Sequence, residues 1–276
     1  MTAKQLLYEG GAKLRDVTDE AGLDAWYLFE RASGMTRSRY FMDPDTEVPA
    51  DVCEAYRGML DKRSRHIPLQ QILGSREFMG LEFDVNEHVL IPRQDTEVLV
   101  ERALKLLRDG QSVLDMCTGS GCIIISLAKN RHLKKAAGAD ISADALSVAK
   151  GNAIKHKADV TFVKSNLFEN IDDGEYDMIV SNPPYIETAK IESLMPEVRD
   201  YEPRIALDGG TDGLDFYKRI VWDAKNFLKP EGYLVFEIGY NQKDSVCGLM
   251  KKAGYTDVEA GCDLAGLPRV CLGRRA

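Results

Sequence analysis

Short apolar segments alternate with helix-like segments through the second half of this 276-residue chain. Repeated units of strand, helix and strand form a mostly parallel sheet with helices on both faces, so this alternation predicts an α/β domain. Ligands of such sheets bind beyond the carboxyl ends of the strands, and functional residues are therefore expected directly after each strand. The predicted strands are SVLDMC, AAGAD, DVTFVKS, YDMIVSN and GYLVFEI, and the predicted helices are GCIIISLAKN, ADALSVAKGNAIK and FYKRIVWDAKNFL.

The chain before these segments follows two other patterns. Over residues 1–75 apolar side chains such as Leu6, Trp26 and Phe29 recur at intervals of three or four, and a third stretch of this kind starts at Pro49. This spacing predicts a small helical domain whose apolar stripes form its own core. Residues 76–92 (REFMGLEFDVNEHVLIP) alternate instead, which predicts a β-hairpin linker that turns at Asn-Glu. Residues 93–276 are left for the α/β domain.

Charge and composition exclude several classes of function. The chain has 36 Lys and Arg against 44 Asp and Glu, a formal net charge of −8, which disfavours nonspecific binding to nucleic acid or anionic lipid. Because the chain has neither an apolar run of membrane-spanning length nor a secretory leader, we expect a cytoplasmic protein. The six cysteines include no C-x-x-C pair, and the histidines form no ligand pair, so no metal site is predicted.

The segment VLDMCTGSGC at residues 113–122 joins a strand to a helix through two glycines. Gly119 and Gly121 allow the backbone to pass close to a ligand, and the first turn of the helix offers free N–H groups. A dinucleotide site would need a third glycine where Ile124 stands, and no Lys-Ser/Thr pair marks a phosphate loop. The loop therefore favours a nucleoside without a phosphate chain, although such loops are often only tight turns.

Two further strand ends carry polar residues. Asp140 follows Gly121 by 19 residues, an offset at which a carboxylate accepts hydrogen bonds from both ribose hydroxyls. The alternative is that Asp140 caps the next helix, a role that Ser142 also suits. Asn166 is placed to meet an adenine edge, with Leu167 and Phe168 against its ring, although this stretch taken singly reads as a turn. Together the three strand ends predict a nucleoside site.

The sequence SNPPYI at residues 181–186 follows the fourth predicted strand. Two consecutive prolines remove two backbone donors and fix φ twice, so the loop is stiff. Such a loop holds the Asn182 amide and nearby carbonyl groups in fixed directions, with Tyr185 as a flat wall beside them. The alternative is an ordinary turn that ends the strand, which asparagine and proline also favour.

These residues resemble a known group of enzymes. The pattern Asp115-x-x-Thr-Gly-Ser-Gly, Asp140 and the tetrapeptide at residues 182–185 is similar to that of S-adenosylmethionine-dependent methyltransferases that modify amide or exocyclic amino nitrogens. Further stretches narrow the resemblance to the peptide chain release factor glutamine methyltransferases, from about residue 68 to residue 276. Those stretches are residues 68–74 (PLQQILG), 77–81 (EFMGL), 91–97 (IPRQDTE), 202–207 (EPRIAL) and 263–270 (DLAGLPRV).

The resemblance implies a Rossmann-like class I methyltransferase domain over residues 93–276, preceded by a helical substrate-recognition domain. It implies S-adenosylmethionine as cofactor, S-adenosylhomocysteine as product, and transfer to the glutamine of the Gly-Gly-Gln motif in translation release factors. It further implies a protein substrate, no required nucleic acid, no membrane and a monomer. Residues that match the cofactor positions are Cys117, Thr118, Gly119, Ser120, Gly121, Asp140, Asn166, Leu167 and Asn182.

The tetrapeptide suits this chemistry because a glutamine amide is a poor nucleophile. If the Asn182 oxygen and the Pro183 carbonyl accept its two N–H protons, electron density shifts toward nitrogen. Tyr185 would pack on the amide and favour the sulfonium through its ring face, so Asn182, Pro183 and Tyr185 are the predicted catalytic residues. Pro184 completes the substrate loop, and Pro92 and Arg93 are candidates to shape the glutamine pocket.

No strong base is required, since an N-alkylated cationic amide loses its proton readily. We therefore predict no catalytic histidine or carboxylate, and expect surface or packing roles for the histidines, which are His66, His88, His132 and His156. Two departures from the family pattern are Gln94, where proline is common and whose effect is expected to be a looser loop, and Asn166, where aspartate is common.

Four alternatives remain on sequence grounds. A glutamine of a ribosomal protein, or adenine or guanine in nucleic acid, would suit the same tetrapeptide, although the chain has no basic arm. A non-catalytic adaptor would keep the nucleoside fold and bind a partner through the N-terminal helices. A nicotinamide dehydrogenase is disfavoured by the missing third glycine.

Overall fold

The computed structural model describes residues 1–172 and 175–276 as two compact units. Residues 1–75 with 195–201 form the helical unit, and residues 76–194 with 202–276 form the sheet unit. Residues 195–201, which the sequence analysis assigned to the α/β domain, thus group with the N-terminal helices. In the described ranges, no helix has the length and apolar character needed to cross a membrane.

The helices and strands of these residues are numbered in chain order. Three short 3-10 helices lie at Thr188–Ser193, Arg204–Ala206 and Ala224–Asn226. The α-helices are α1 (Ala3–Leu14), α2 (Ala21–Ser33), α3 (Arg37–Met42), α4 (Ala50–Arg63), α5 (Leu69–Leu73), α6 (Gln94–Leu106), α7 (Cys122–Asn130), α8 (Ala143–His156), α9 (Pro196–Tyr201), α10 (Asp215–Asp223) and α11 (Lys243–Lys252). The strands are β1 (Ser75–Phe78), β2 (Leu81–Asp84), β3 (Ser112–Met116), β4 (Lys135–Asp140), β5 (Thr161–Lys164), β6 (Tyr176–Ser181), β7 (Leu228–Glu237), β8 (Tyr255–Cys262) and β9 (Pro268–Arg275).

The helical unit is built on α1, α2 and α4, the three helices that the apolar spacing predicts. Their facing stripes bury Leu6, Phe29, Tyr56 and Leu60 completely. Helix α1 approaches α4 closely at Gly10, where an added Cβ would lie 1.9 Å from the Tyr56 hydroxyl. The short helices α3 and α5 were not predicted, because six and five residues are too few to show a helical period.

A buried ion cluster holds α9 within the helical unit. Arg63, 3 % exposed, pairs through Nε with Asp24 Oδ2 at 2.7 Å and through Nη2 with Glu197 Oε1 at 2.5 Å. Tyr201 at the end of α9 donates its hydroxyl proton to the Arg65 carbonyl at 2.7 Å. A charge this deeply buried persists only with such partners, so Arg63 fixes α9 against α2 and α4.

The sheet unit contains a seven-stranded sheet in the order β5-β4-β3-β6-β7-β9-β8. Strands β3 to β7 pair in parallel. Strand β9 continues the sheet antiparallel to β7, and β8 pairs antiparallel with β9 at the edge. In register, Leu114 of β3 lies beside Ala137 of β4 and Ile179 of β6, all three of which are buried. The predicted α/β fold with a mostly parallel sheet is confirmed, whereas strands β8 and β9 were not predicted.

The β-hairpin is present, but its predicted turn is wrong. Strands β1 and β2 form a separate two-stranded sheet joined at Met79 and Gly80, whose φ values are +52° and +72°. Positive φ at both central residues is the hairpin geometry that matches strand twist. Asn86, the predicted turn position, instead accepts from the His88 N–H at 3.0 Å in a local turn.

Candidate active site

A cavity of about 310 Å³ opens at the carboxyl ends of β3 to β6 within the sheet unit. Its size lies within the range of about 300 to 1,000 Å³ that is typical of small-molecule sites. Most of the predicted site residues line it, whereas Gly121, Pro183 and Tyr185 are not part of its lining in the described chain. The predicted residues on its wall are Pro92, Arg93, Cys117, Thr118, Gly119, Ser120, Asp140, Asn166, Leu167, Asn182 and Pro184.

The loop after β3 has an unusual backbone. Cys117 and Gly119 have φ values of +63° and +53°, and a Cβ added at Gly119 would meet no atom within 4 Å. The space over Gly119 is therefore open to the cavity. Gly121 has another role, because its Cβ would lie 3.0 Å from Ile125 and 3.2 Å from Ala149. It allows α7 and α8 to pack closely.

Asp115 supports this loop from beneath. It is fully buried in β3, and its Oδ2 accepts from the Thr118 hydroxyl at 2.6 Å. Burial raises the pKa of Asp115 to about 7, and the hydrogen bond from Thr118 opposes that rise. The pair fixes the start of the turn, so Asp115 contributes to the shape of the cavity without lining it.

Asp140 at the end of β4 combines a structural role with exposure to the cavity. Its two oxygens accept from the Gly119 and Ser142 N–H groups, each at 2.9 Å. Ser142 is the N-cap of α8, since its hydroxyl accepts from the Ala145 N–H at 3.1 Å. Burial raises the pKa of Asp140, which these backbone hydrogen bonds oppose. A carboxylate has about four acceptor sites, so two hydroxyl groups can still bind.

In the segment after β5, Leu167 lines the cavity as predicted, whereas Phe168 packs elsewhere. Leu167 has a φ of +52°, a strained conformation for a residue with a side chain, and it lines the cavity. Asn166 beside it donates to Glu169 Oε1 at 2.6 Å and accepts from Arg219 Nη2 at 3.2 Å. Phe168, expected against the adenine ring, stacks instead on Phe227 with ring centroids 4.7 Å apart.

The Asn-Pro-Pro-Tyr loop leaves β6 beside β3. Its position is fixed by Gln242, which donates from Nε2 to the Tyr185 carbonyl at 3.0 Å. Gly209 packs on the other side, where an added Cβ would lie 2.7 Å from Tyr185 Cα and 2.8 Å from the Pro184 oxygen. The loop is thus held by neighbours as well as by its prolines. Asn182 Nδ2 donates to Thr96 Oγ1 at 3.4 Å.

Tyr185 turns its hydroxyl into the protein interior. The hydroxyl donates to Glu237 Oε1 at 3.4 Å, and burial beside this carboxyl group raises the tyrosine pKa. Glu237 ends β7 with 2 % exposure, and burial raises its pKa to about 7. Sequence reasoning missed Thr96, Glu237 and Gln242. Glu237 could have been found, since it directly follows the apolar run of a predicted strand.

The segment before α6 forms the far wall. Arg93 Nη2 pairs with Glu202 Oε1, and Glu202 Oε2 accepts from the Ile91 N–H at 3.4 Å. Gln94 is the first residue of α6, so this departure from the expected family pattern belongs to a helix and not to a loop as expected. His88, expected away from the site, lies exposed on the cavity lining.

Two protein-family models and several known proteins match this chain. Residues 93–197 match the methyltransferase small domain family, and residues 5–74 match the PrmC N-terminal domain. A release factor glutamine methyltransferase from Geobacter sulfurreducens is 44% identical over 93% of this chain and 90% of its own. One from Clostridium acetobutylicum is 37% identical over 100% and 99%.

Solved structures share the fold. A methyltransferase from Pyrococcus furiosus superposes with a TM-score of 0.53 at 19% identity, covering 71% of this chain and 90% of that one. With the curated relatives matching nearly the whole length, the chain belongs to the release factor glutamine methyltransferase family.

Proposed function

We propose that this enzyme transfers a methyl group from S-adenosylmethionine to the side-chain amide nitrogen of the glutamine in the Gly-Gly-Gln motif of translation release factors. Membership of the family makes it an S-adenosylmethionine-dependent methyltransferase. The observation that carries the chemistry is the Asn-Pro-Pro-Tyr loop, fixed on both sides, with Asn182 on the wall of a nucleoside-sized cavity. The choice of release factors as substrate is supported by the family to which the chain belongs.

The residues of the cavity fit the cofactor. Asp140 offers acceptors for the ribose hydroxyls, and Gly119 leaves room for the ligand to pass close to the backbone. Leu167 offers an apolar surface to the adenine, and Asn166 a donor and an acceptor to its edge. When bound, the cofactor supplies a methyl carbon on a positively charged sulfur, which is open to attack by a nitrogen lone pair.

Asn182 and Pro183 prepare the nucleophile. The Asn182 oxygen and the Pro183 carbonyl accept hydrogen bonds from the two N–H groups of the substrate amide. These hydrogen bonds weaken delocalisation of the nitrogen lone pair into the glutamine carbonyl. Because the loop is already fixed by Gln242 and Gly209, these acceptors need little reorganisation during the reaction. Holding two reacting groups in line supplies roughly 7–11 kcal/mol of the barrier reduction.

The proton that leaves needs no protein base, because the methylated cationic amide is strongly acidic. Asp140 is occupied by two backbone N–H groups, and Glu237 lies behind the loop. We also assign the enzyme to the cytoplasm, where release factors act, and to a monomeric state without a nucleic-acid partner. Light scattering of the purified protein at several concentrations tests the monomer.

The assay that tests the function uses labelled S-adenosylmethionine with release factors, ribosomal proteins or RNA in parallel reactions. We expect label on release factors alone, and peptide mass spectrometry should place one methyl group on the glutamine of the Gly-Gly-Gln segment. Asn182→Ala should abolish transfer even at a saturating concentration of S-adenosylmethionine. Label on a ribosomal protein or on RNA would assign the loop to the alternative substrates, and unchanged activity of Asn182→Ala would refute the mechanism.

A further inference from the structure

Two buried polar residues, Thr96 and Glu237, contact the Asn-Pro-Pro-Tyr loop, Thr96 also lines the cavity, and neither has a role in the function proposed above. Thr96 is in the first turn of α6, is 2 % exposed, and its Oγ1 accepts from Asn182 Nδ2 at 3.4 Å. Glu237 at the end of β7 is also 2 % exposed, and the Thr96 side chain opposes the rise in the pKa of its carboxyl group, as a hydroxyl that donates toward it does. The three side chains therefore form a chain from the interior to the cavity wall.

Glu237 also contacts the Asn-Pro-Pro-Tyr loop, because the Tyr185 hydroxyl donates to its Oε1. Glu237 Oε2 is buried and accepts no hydrogen bond from any described residue. Arg269 of β9 stabilises the negative charge of this carboxyl group, while Asp95 of α6 opposes it and pairs with Arg269 at 3.0 Å. A buried acceptor with an unused oxygen is costly, which indicates that packing alone does not account for a glutamate here.

The direction of these hydrogen bonds decides how the Asn182 amide faces. An ionised carboxylate only accepts, so the Thr96 hydroxyl gives its single proton to Glu237 and keeps only lone pairs for Asn182. The Asn182 side chain must then turn its NH₂ group toward Thr96. Its oxygen is then at the other edge of the planar amide group, where it can accept from a ligand in the cavity. The oxygen and nitrogen of an asparagine amide are nearly equal in size, so shape alone would not select this orientation.

We propose that Thr96 and Glu237 are positioning residues that fix the Asn182 amide so that its oxygen, and not its NH₂ group, faces the amide to be methylated. This inference rests on the proposed function, because it concerns how Asn182 meets an NH₂ group of the substrate. A reversed amide would place two donors opposite each other and could not accept a hydrogen bond from the substrate N–H group. Neither residue touches the reacting atoms.

The test compares Thr96→Val, which keeps the shape and removes the hydroxyl, with Thr96→Ser, which keeps the hydroxyl. For Thr96→Val we expect kcat to fall by roughly tenfold or more, short of the 10²–10³ typical of losing a preorganised contact outright. The calorimetric Kd for S-adenosylhomocysteine and the KM for release factor should stay within about threefold of wild type. Thr96→Ser should keep kcat within the same about threefold range.

A second measurement reports orientation directly. In ¹⁵N-labelled protein the side-chain NH₂ signal of Asn182, identified by its loss in Asn182→Ala, should shift in Thr96→Val and stay in place in Thr96→Ser. Glu237→Gln provides an independent variant, because its NH₂ group can donate to Thr96 and release the hydroxyl proton toward Asn182. We expect a lower kcat with unchanged cofactor Kd.

The possible failures are distinguishable. If the wild-type enzyme does not methylate release factors, the proposed function fails. If it does, and Thr96→Val and Thr96→Ser have equal kcat and equal Asn182 signals, the positioning role is overturned. A folded Thr96→Val that raises KM at unchanged kcat would also overturn it, by assigning Thr96 to binding. Should Thr96→Val not fold, Glu237→Gln decides by the same criteria.

Discussion

Asp140 gives a quantitative prediction for cofactor binding. The substitution Asp140→Asn keeps the size of the side chain but leaves one acceptor oxygen where the structure uses two, toward the Gly119 and Ser142 N–H groups at 2.9 Å each. One of these N–H groups would face an NH₂ group, and the ribose would lose a charged acceptor. A hydrogen bond to a charged group contributes about 1.5–3 kcal/mol. At about 1.4 kcal/mol per factor of ten, the Kd should rise roughly 10- to 150-fold.

Isothermal titration with S-adenosylhomocysteine measures this change. The matched control is Ser142→Ala, which removes the N-cap of α8 and leaves the carboxylate, so it should cost about 1 kcal/mol of stability. Its Kd should remain within about threefold of wild type. A Kd for Asp140→Asn inside that same range would refute the ribose assignment. Equal weakening by both variants would favour the alternative, in which this segment matters only as a helix start.

Three further outcomes are expected. Burial raises the pKa of Glu237 to about 7, so wild-type kcat should increase as the pH rises through 7 and the carboxyl group becomes an acceptor only. The pH profile of Glu237→Gln should lack this increase. Asp115, whose pKa is also raised to about 7, contributes equally to both profiles. Gly209→Ala should lower kcat and cost about 1–3 kcal/mol in urea unfolding, because its Cβ meets the Tyr185 backbone; Gly58→Ala, in open space, should not. Arg63→Met should cost about 3–5 kcal/mol in the same unfolding assay, since Asp24 and Glu197 are left uncompensated; equal stability would contradict this.

The central parallel strands were predictable from the sequence because β3 and β6 are buried almost throughout. Mostly apolar runs such as VLDM and MIVS have few structural alternatives when helical segments separate them. Strand β8 was missed for the opposite reason, since it lies at the sheet edge with exposed residues such as Thr256 and Glu259 and shifts register twice against β9. Strand β9 was missed although its centre is buried, because that buried run is only four residues long. The hairpin turn was misplaced because Met79 at positive φ gives no sequence signal.

The cavity wall was predictable where residues follow strands, and less so where tertiary packing decides. Asp140, Asn166 and Asn182 were found by the strand-end rule. Phe168 was misassigned, since only the tertiary structure reveals that Phe227 is available for stacking. Thr96 lies on a helix that is remote in sequence from the loop it contacts, so spacing could not identify it.

The two buried carboxylates of the site follow one structural rule. Asp115 accepts a hydrogen bond from the Thr118 hydroxyl in the cofactor loop. The side chain of Thr96, which accepts from Asn182, lowers the pKa of Glu237. In each case a carboxylate near the end of a strand interacts with a threonine hydroxyl of an element that lines the cavity. Each carboxylate also has one buried oxygen, Asp115 Oδ1 and Glu237 Oε2, without a hydrogen bond of normal distance and angle from any described residue, although the Ile124 N–H lowers the pKa of Asp115.

Such unsatisfied oxygens reduce stability by about 1–3 kcal/mol each, a cost that an apolar core would avoid. Their position explains why the cost is tolerated. A neutral side chain at either strand end could rotate or exchange donor and acceptor, and the threonine would then have two possible orientations. An ionised carboxylate only accepts and permits one, and both groups are mostly ionised above about pH 7. The enzyme thus loses stability at the two points where the direction of a hydrogen bond must be fixed, one toward the cofactor loop and one toward the amide that receives the methyl group.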